Sequence, residues 1–128
     1  MKNSLKTVLV VEDDGMLRDV VVKYFQGTFN VLSAEDGEKA ITITMDKKPD
    51  VILLDLLLPK VDGFQVLETI RKSKDKAVSG IPVVVLSNLW TNKDILRVEA
   101  LKIEAYFVKA HTELEQVYKK VQEILGVK

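Results

Sequence analysis

Four places in the chain combine reactive side chains with a common setting. Glu12, Asp13 and Asp14 directly follow the apolar run Val8-Leu9-Val10-Val11, and Asp55 directly follows Val51-Ile52-Leu53-Leu54. Ser87 and Asn88 follow Val83-Val84-Val85-Leu86, and Lys109 follows Tyr106-Phe107-Val108. Clustered carboxylates repel one another and raise a pKa unless a cation joins them. A hard, oxygen-seeking divalent ion such as Mg²⁺ resolves that repulsion. A carboxylate is also a nucleophile that forms an aspartyl-phosphate. A phosphoryl group needs positive charge and donors around its oxygens, and Mg²⁺, Lys109 and the Ser87 hydroxyl would supply them. No GxxxxGK[ST] or GxGxxG loop is present, so a nucleotide-phosphate cradle is not expected.

The elements that must position these groups are readable from the apolar pattern. The four runs above, with Val31-Leu32, are continuous rather than alternating, as strands buried on both faces are. Helical spacing fills the gaps. Leu17, Val20, Val21, Tyr24 and Phe25 share one helix face, and Gly27 stops that helix. Glu38 to Met45 reads as a second helix, Phe64, Leu67 and Ile70 mark a third, and Asp94 to Lys102 a fourth. Leu114, Val117, Tyr118, Val121, Ile124 and Leu125 mark a fifth, opened by a Thr112–Glu115 capping box and ended at Gly126. Lys72 to Gly80 reads as a polar surface loop. Five strands alternating with five helices predict a doubly wound α/β sheet with helices on both faces. Such sheets bind ligands beyond the carboxyl ends of their strands, where all the reactive groups fall.

Length and composition set the outer bounds. The 128 residues, 47% hydrophobic and 30% charged, read as one soluble domain spanning 1–128. The absence of cysteine excludes disulfides, a thiolate zinc site and a cysteine nucleophile. The single histidine excludes a site with two His ligands. Zero net charge argues against direct nucleic-acid binding or an anionic membrane surface. No apolar stretch reaches the length of a membrane span, so a cytoplasmic location is expected.

Five stretches, in order and at these spacings, carry a resemblance. They are Val8-Leu-Val-Val-Glu-Asp-Asp14, Pro49-Asp-Val-Ile-Leu-Leu-Asp55, Leu58-Pro-Lys-Val-Asp-Gly63, Ile81-Pro-Val-Val-Val-Leu-Ser87 and Tyr106-Phe-Val-Lys109. The chain resembles the receiver domain of two-component response regulators, of the single-domain, chemotaxis-regulator-like kind. The resemblance implies a five-stranded, flavodoxin-like parallel sheet of order 2-1-3-4-5. It implies that Asp55 is the phosphoacceptor and that Asp13, Asp55 and the Leu57 backbone carbonyl hold Mg²⁺, with Glu12 acting through a water. Lys109 would pair with Asp55 and then with its phosphoryl group. Ser87 would move to bond that group, and Tyr106 would follow. The face made by the fourth helix, fifth strand and fifth helix would then change shape for an output protein; the same face is a candidate for self-association. A sensor histidine kinase or a small phosphodonor would supply the phosphoryl group. The chain would then be a signalling module, an enzyme only toward its own Asp55.

Plainer roles stand beside these. Asp14 and Asp62-Gly63 read as helix-start chemistry, His111 as a loop residue, and Trp90 as core or partner surface. Two departures from the receiver pattern are Ala110, where the family usually has a proline after a cis bond, and Asn88, where it usually has a small residue. A cis bond before alanine costs about 2.5–4 kcal/mol, so the loop is either trans, with Lys109 displaced, or strained. Leu57 and Leu89 are bulky beside the site and should slow dephosphorylation by excluding water. One alternative is a pseudo-receiver that binds partners without phosphorylation. An aspartyl phosphatase would need a second Asp where Leu57 stands, and a flavin carrier would need a Ser/Thr/Gly phosphate loop where the acids stand.

Overall fold

The computed structural model describes residues 5–89 and 91–127; Trp90 lies outside them. The chain alternates β1 (Thr7–Val11), α1 (Gly15–Phe25), β2 (Asn30–Ala34), α2 (Gly37–Lys47), β3 (Val51–Leu54) and α3 (Gly63–Arg71). A short α4 (Lys76–Ser79) precedes β4 (Val83–Ser87), α5 (Asn92–Glu99), β5 (Ala105–Val108), a 3-10 turn (Lys109–His111) and α6 (Leu114–Leu125). All strand pairs are parallel, and the order is β2-β1-β3-β4-β5.

The continuous apolar runs are explained by the two cores. Strand side chains alternate in direction, so Leu9, Val11, Ile52, Leu54, Val83 and Val85 meet α2, α3 and α5 through Ala40, Leu67, Ile70 and Val98. Their neighbours Val8, Val10, Val51, Leu53 and Val84 face the other way and meet Val21 and Phe25 of α1 and Val117 and Val121 of α6. Each central strand is wet on neither face.

Three local expectations change. The Lys72 to Gly80 stretch contains α4: Asp75 caps it by accepting the Ala77 N–H at 2.9 Å, and Val78 is buried against the first core. The helices expected as fourth and fifth are therefore α5 and α6. The start of α5 moves back to Asn92, because the Thr91 hydroxyl accepts the Asp94 N–H at 3.2 Å. The start of α6 is set by Glu113 rather than Thr112: the Gln116 side chain accepts the Glu113 N–H at 2.8 Å. The capping residue is thus Gln116, one position beyond Glu115.

Candidate functional site

The order β2-β1-β3 sends the chain in opposite directions from the ends of β1 and β3, which opens a crevice between those ends. Register fixes what stands there. Val11 pairs with Leu54, and the Asp55 N–H donates to the Val11 carbonyl at 3.1 Å, so Glu12 and Asp55 are neighbours. Ser87 pairs with Val108, which brings Lys109 to the same rim.

Glu12 and Asp55 are each only 4% exposed, whereas Asp13 is open to solvent. Oxygens of Glu12, Asp13 and Asp55 all lie within 4.8 Å of one another. The Lys109 ammonium sits 2.5 Å from Glu12 Oε1 and 2.7 Å from Asp55 Oδ2. Burial works against the charge on Lys109, but its bonds to Asp55 and Glu12 outweigh burial and raise its pKa. Burial pushes the Glu12 carboxyl up; the bond to Lys109 and the Asp14 N–H oppose that, and the charge of Asp55 adds to it.

The remaining partners are backbone groups. Asp55 Oδ1 accepts the Leu57 N–H at 3.1 Å. Arg18, on the second turn of α1, donates to the Glu12 carbonyl at 2.9 Å. Gly63 permits the close seating of α3 on this end of β3: a Cβ there would fall 2.4 Å from the Asp55 carbonyl oxygen and 2.5 Å from the Leu56 Cα. Asp14 turns away and caps α1 through the Met16 and Leu17 N–H groups at 3.0 and 3.2 Å. Asp62 likewise caps α3 at the Gln65 N–H.

On the β4 side, Ser87 is fully buried and its Oγ accepts the Leu89 N–H at 3.3 Å. The Tyr106 hydroxyl donates to the Leu89 carbonyl. Burial, then the charges of Asp94 and Asp55, push the Tyr106 phenol pKa up. Leu57 is 53% exposed, and with Leu89, Phe64 and Asp62 it lines a groove of about 300 Å³ beside the carboxylates. The Lys109–Ala110 bond is trans. Lys109 nevertheless reaches Asp55, because the chain enters a 3-10 turn directly after β5. His111 ends that turn, exposed.

Glu12, Asp13, Asp55 and Lys109 therefore meet in one crevice. Ser87 stands at the adjoining end of β4 and Tyr106 is tied to the loop after it through the Leu89 carbonyl, while Asp14 and Asp62 cap helices and His111 lies exposed on the turn. Two contacts had no clear signal in the sequence, Arg18 on the Glu12 carbonyl and the Ala110 N–H on Asn88 Oδ1 at 3.0 Å. The donor set, three carboxylates with no soft ligand, fits Mg²⁺ or another hard divalent ion.

Comparison with known proteins decides the family. The model of the response regulator receiver domain matches residues 8–122. This chain belongs to the response regulator receiver domain family. It is 31% identical over 119 residues to the DNA-binding dual master transcriptional regulator RpaA of Synechocystis sp., covering 92% of this chain and 48% of that protein. This receiver domain therefore spans about half the length of that relative. The Mn(2+)-bound form of response regulator Rcp1 superposes with TM-score 0.77 at 30% identity, covering 93% of this chain and 91% of that one. The chemotaxis protein CheY4 of Vibrio cholerae shares the fold with TM-score 0.84 at 23% identity, covering 94% of this chain and 99% of that one. Receiver domains are signalling modules of two-component systems rather than classical enzymes. No helix among the described residues is long and apolar enough to cross a membrane.

Proposed function

We propose that this receiver accepts a phosphoryl group on Asp55 with Mg²⁺ and passes the change to a partner protein. The observation that carries the reading is Lys109, whose ammonium lies 2.7 Å from Asp55 in a crevice holding two further acids. Asp13, Asp55 and the Leu57 carbonyl would hold the ion, with Glu12 reaching it through a water. Bound there, the ion neutralises charge between the carboxylates and the incoming phosphoryl oxygens. An Asp55 oxygen attacks phosphorus, the bond from phosphorus to the donor breaks, and the donor leaves with that electron pair. Lys109 then shifts its pairing from carboxylate to phosphoryl oxygen. The Ser87 hydroxyl turns from Leu89 to the same group. Because the Tyr106 hydroxyl bonds the Leu89 carbonyl, that movement reaches β5 and the face of α5, β5 and α6.

A sensor histidine kinase is the proposed donor and an output protein the proposed reader of that face. A second copy of the chain is the alternative occupant. We place residues 1–128 as one module acting in the cytoplasm, without direct nucleic-acid or membrane contact. The DNA-binding activity in the name of RpaA is that protein's own. The Lys109–Asp55 contact supports the phosphorylated reading over a phosphorylation-independent one. Calorimetric titration with beryllofluoride, a stand-in for the phosphoryl group, tests it. Mg²⁺-dependent binding that is lost in Asp55→Asn is expected; no binding with Mg²⁺ present would overturn the reading.

A further inference from the structure

We infer that Asn88 is a positioning residue for Lys109. Its side-chain carbonyl holds the backbone just beyond Lys109 and so aims the ammonium at Asp55. The inference rests on the phosphoacceptor reading and goes beyond it.

Lys109 leaves β5 and enters the turn Lys109–His111, which is exposed at Ala110 and His111 and whose far end is closed by a long contact, the Thr112 N–H to the Lys109 carbonyl at 3.5 Å. The first donor after Lys109 is the Ala110 N–H, and it crosses to the other loop to bond Asn88 Oδ1 at 3.0 Å. That acceptor hangs from a fixed point. Asn88 follows Ser87, which is fully buried and in register with Val108 of β5. One peptide unit separates the Asn88 contact from the Lys109 Cα. The Lys109 stem is long and flexible, yet its ammonium must meet two carboxylates at 2.5 and 2.7 Å. A reacting group displaced by an ångström loses much of its effect, so an anchor one residue away matters.

The contact also joins two moving parts. Residues 87–89 are held at three points: Ser87 Oγ by the Leu89 N–H, Asn88 by Ala110, and the Leu89 carbonyl by Tyr106. Of these three contacts the Asn88 one reaches the Lys109 turn, beyond the Ser87–Val108 pairing of the strands. It makes that turn and the Ser87 loop one body, so the two groups that meet the phosphoryl oxygens arrive together.

Asn88→Ala removes the acceptor and leaves the Ala110 N–H to water. Both residues are exposed, so the fold should not suffer. A single exposed hydrogen bond sits at the low end of its usual worth, which sets an expected slowing of phosphorylation of about threefold. The test is a cycle of Asn88→Ala and Ala110→Pro, the second of which deletes the donor. The rate of Mg²⁺-dependent phosphorylation of Asp55 by acetyl phosphate is read beside Mg²⁺ affinity and the urea midpoint. The inference predicts about a threefold loss in Asn88→Ala with Mg²⁺ affinity and midpoint unchanged, and no further loss when Asn88→Ala is added to Ala110→Pro. An unchanged rate in Asn88→Ala, or the same loss in the Ala110→Pro background, overturns it. If Ala110→Pro does not fold, amide exchange at Ala110 decides: faster exchange in Asn88→Ala supports the anchor, and unchanged exchange overturns it. A wild type that takes no phosphoryl group is a failure of the phosphoacceptor reading instead. The Lys109 ammonium resonance then decides positioning alone: shifted in Asn88→Ala it supports the inference, unmoved it overturns it.

Discussion

Replacing Lys109 by methionine removes an ammonium that bonds two buried carboxylates while keeping most of the stem's packing. Glu12 and Asp55, each 4% exposed, are then left facing one another with oxygens no more than 4.8 Å apart. Two unit charges at that separation repel by about 3.5 kcal/mol at an effective dielectric constant near 20. Breaking a buried pair from one side typically costs roughly 3–5 kcal/mol, so the two routes agree. Lys109→Met should therefore be about 3 kcal/mol less stable than wild type near neutral pH without Mg²⁺. The sign of the pH dependence follows. Burial already raises the Glu12 pKa, and losing Lys109 removes an interaction that lowers it. The folded variant thus binds more protons than its unfolded chain, and its stability falls as pH rises through the range between the two pKa values. The deficit should shrink as pH falls through that range, where protonation of Glu12 relieves the repulsion, and grow toward neutrality. Mg²⁺ should narrow it, because a cation again sits among the carboxylates. Urea unfolding followed by circular dichroism measures all three. A deficit below about 1 kcal/mol at neutral pH, or one independent of pH, would refute the electrostatic reasoning.

Three further outcomes are expected. Arg71 donates to the carbonyls of Ser79, Ile81, Leu101 and Lys102 at 2.8–2.9 Å, so Arg71→Met should cost about 3 kcal/mol in urea unfolding. It should leave phosphorylation intact, since it lies at the other end of the strands, beside Pro82 and Glu104. Gly63→Ala puts a Cβ 2.5 Å or less from Leu56 and Asp55 backbone atoms, and should cost about 2 kcal/mol or more together with a slower phosphorylation rate. Leu57→Asn and Leu89→Glu should each shorten the phosphoryl lifetime several-fold by admitting water to the groove they line; unchanged lifetimes in both would remove water exclusion from the account.

The sheet was legible because its physics is local. Val8 to Val11 or Val51 to Leu54 can only be continuous if both faces are buried, and a parallel sheet puts each following residue at one rim. That is why Glu12, Asp55, Ser87 and Lys109 could be grouped before any contact was seen. Helix α4 was not legible, since four residues with one buried apolar side chain, Val78, show no period. The start of α6 slipped because Thr112 and Glu113 compete for the cap and only the reach of Gln116 decides. Arg71 and Arg18 were silent because their partners are carbonyls, which every residue has. The Lys109–Ala110 bond shows the same limit. The sequence posed two geometries for it, and the trans form with Lys109 still in place depends on the turn that follows and on Asn88, a side chain from another strand end.

Intact-mass spectrometry after incubation with acetyl phosphate, with and without Mg²⁺, on wild type and Asp55→Asn, tests the central claim most directly. The account predicts a gain of one phosphoryl group in wild type that needs Mg²⁺ and is absent in Asp55→Asn. A gain that persists in Asp55→Asn, or no gain in a wild type that also fails to bind Mg²⁺ and beryllofluoride, would contradict it.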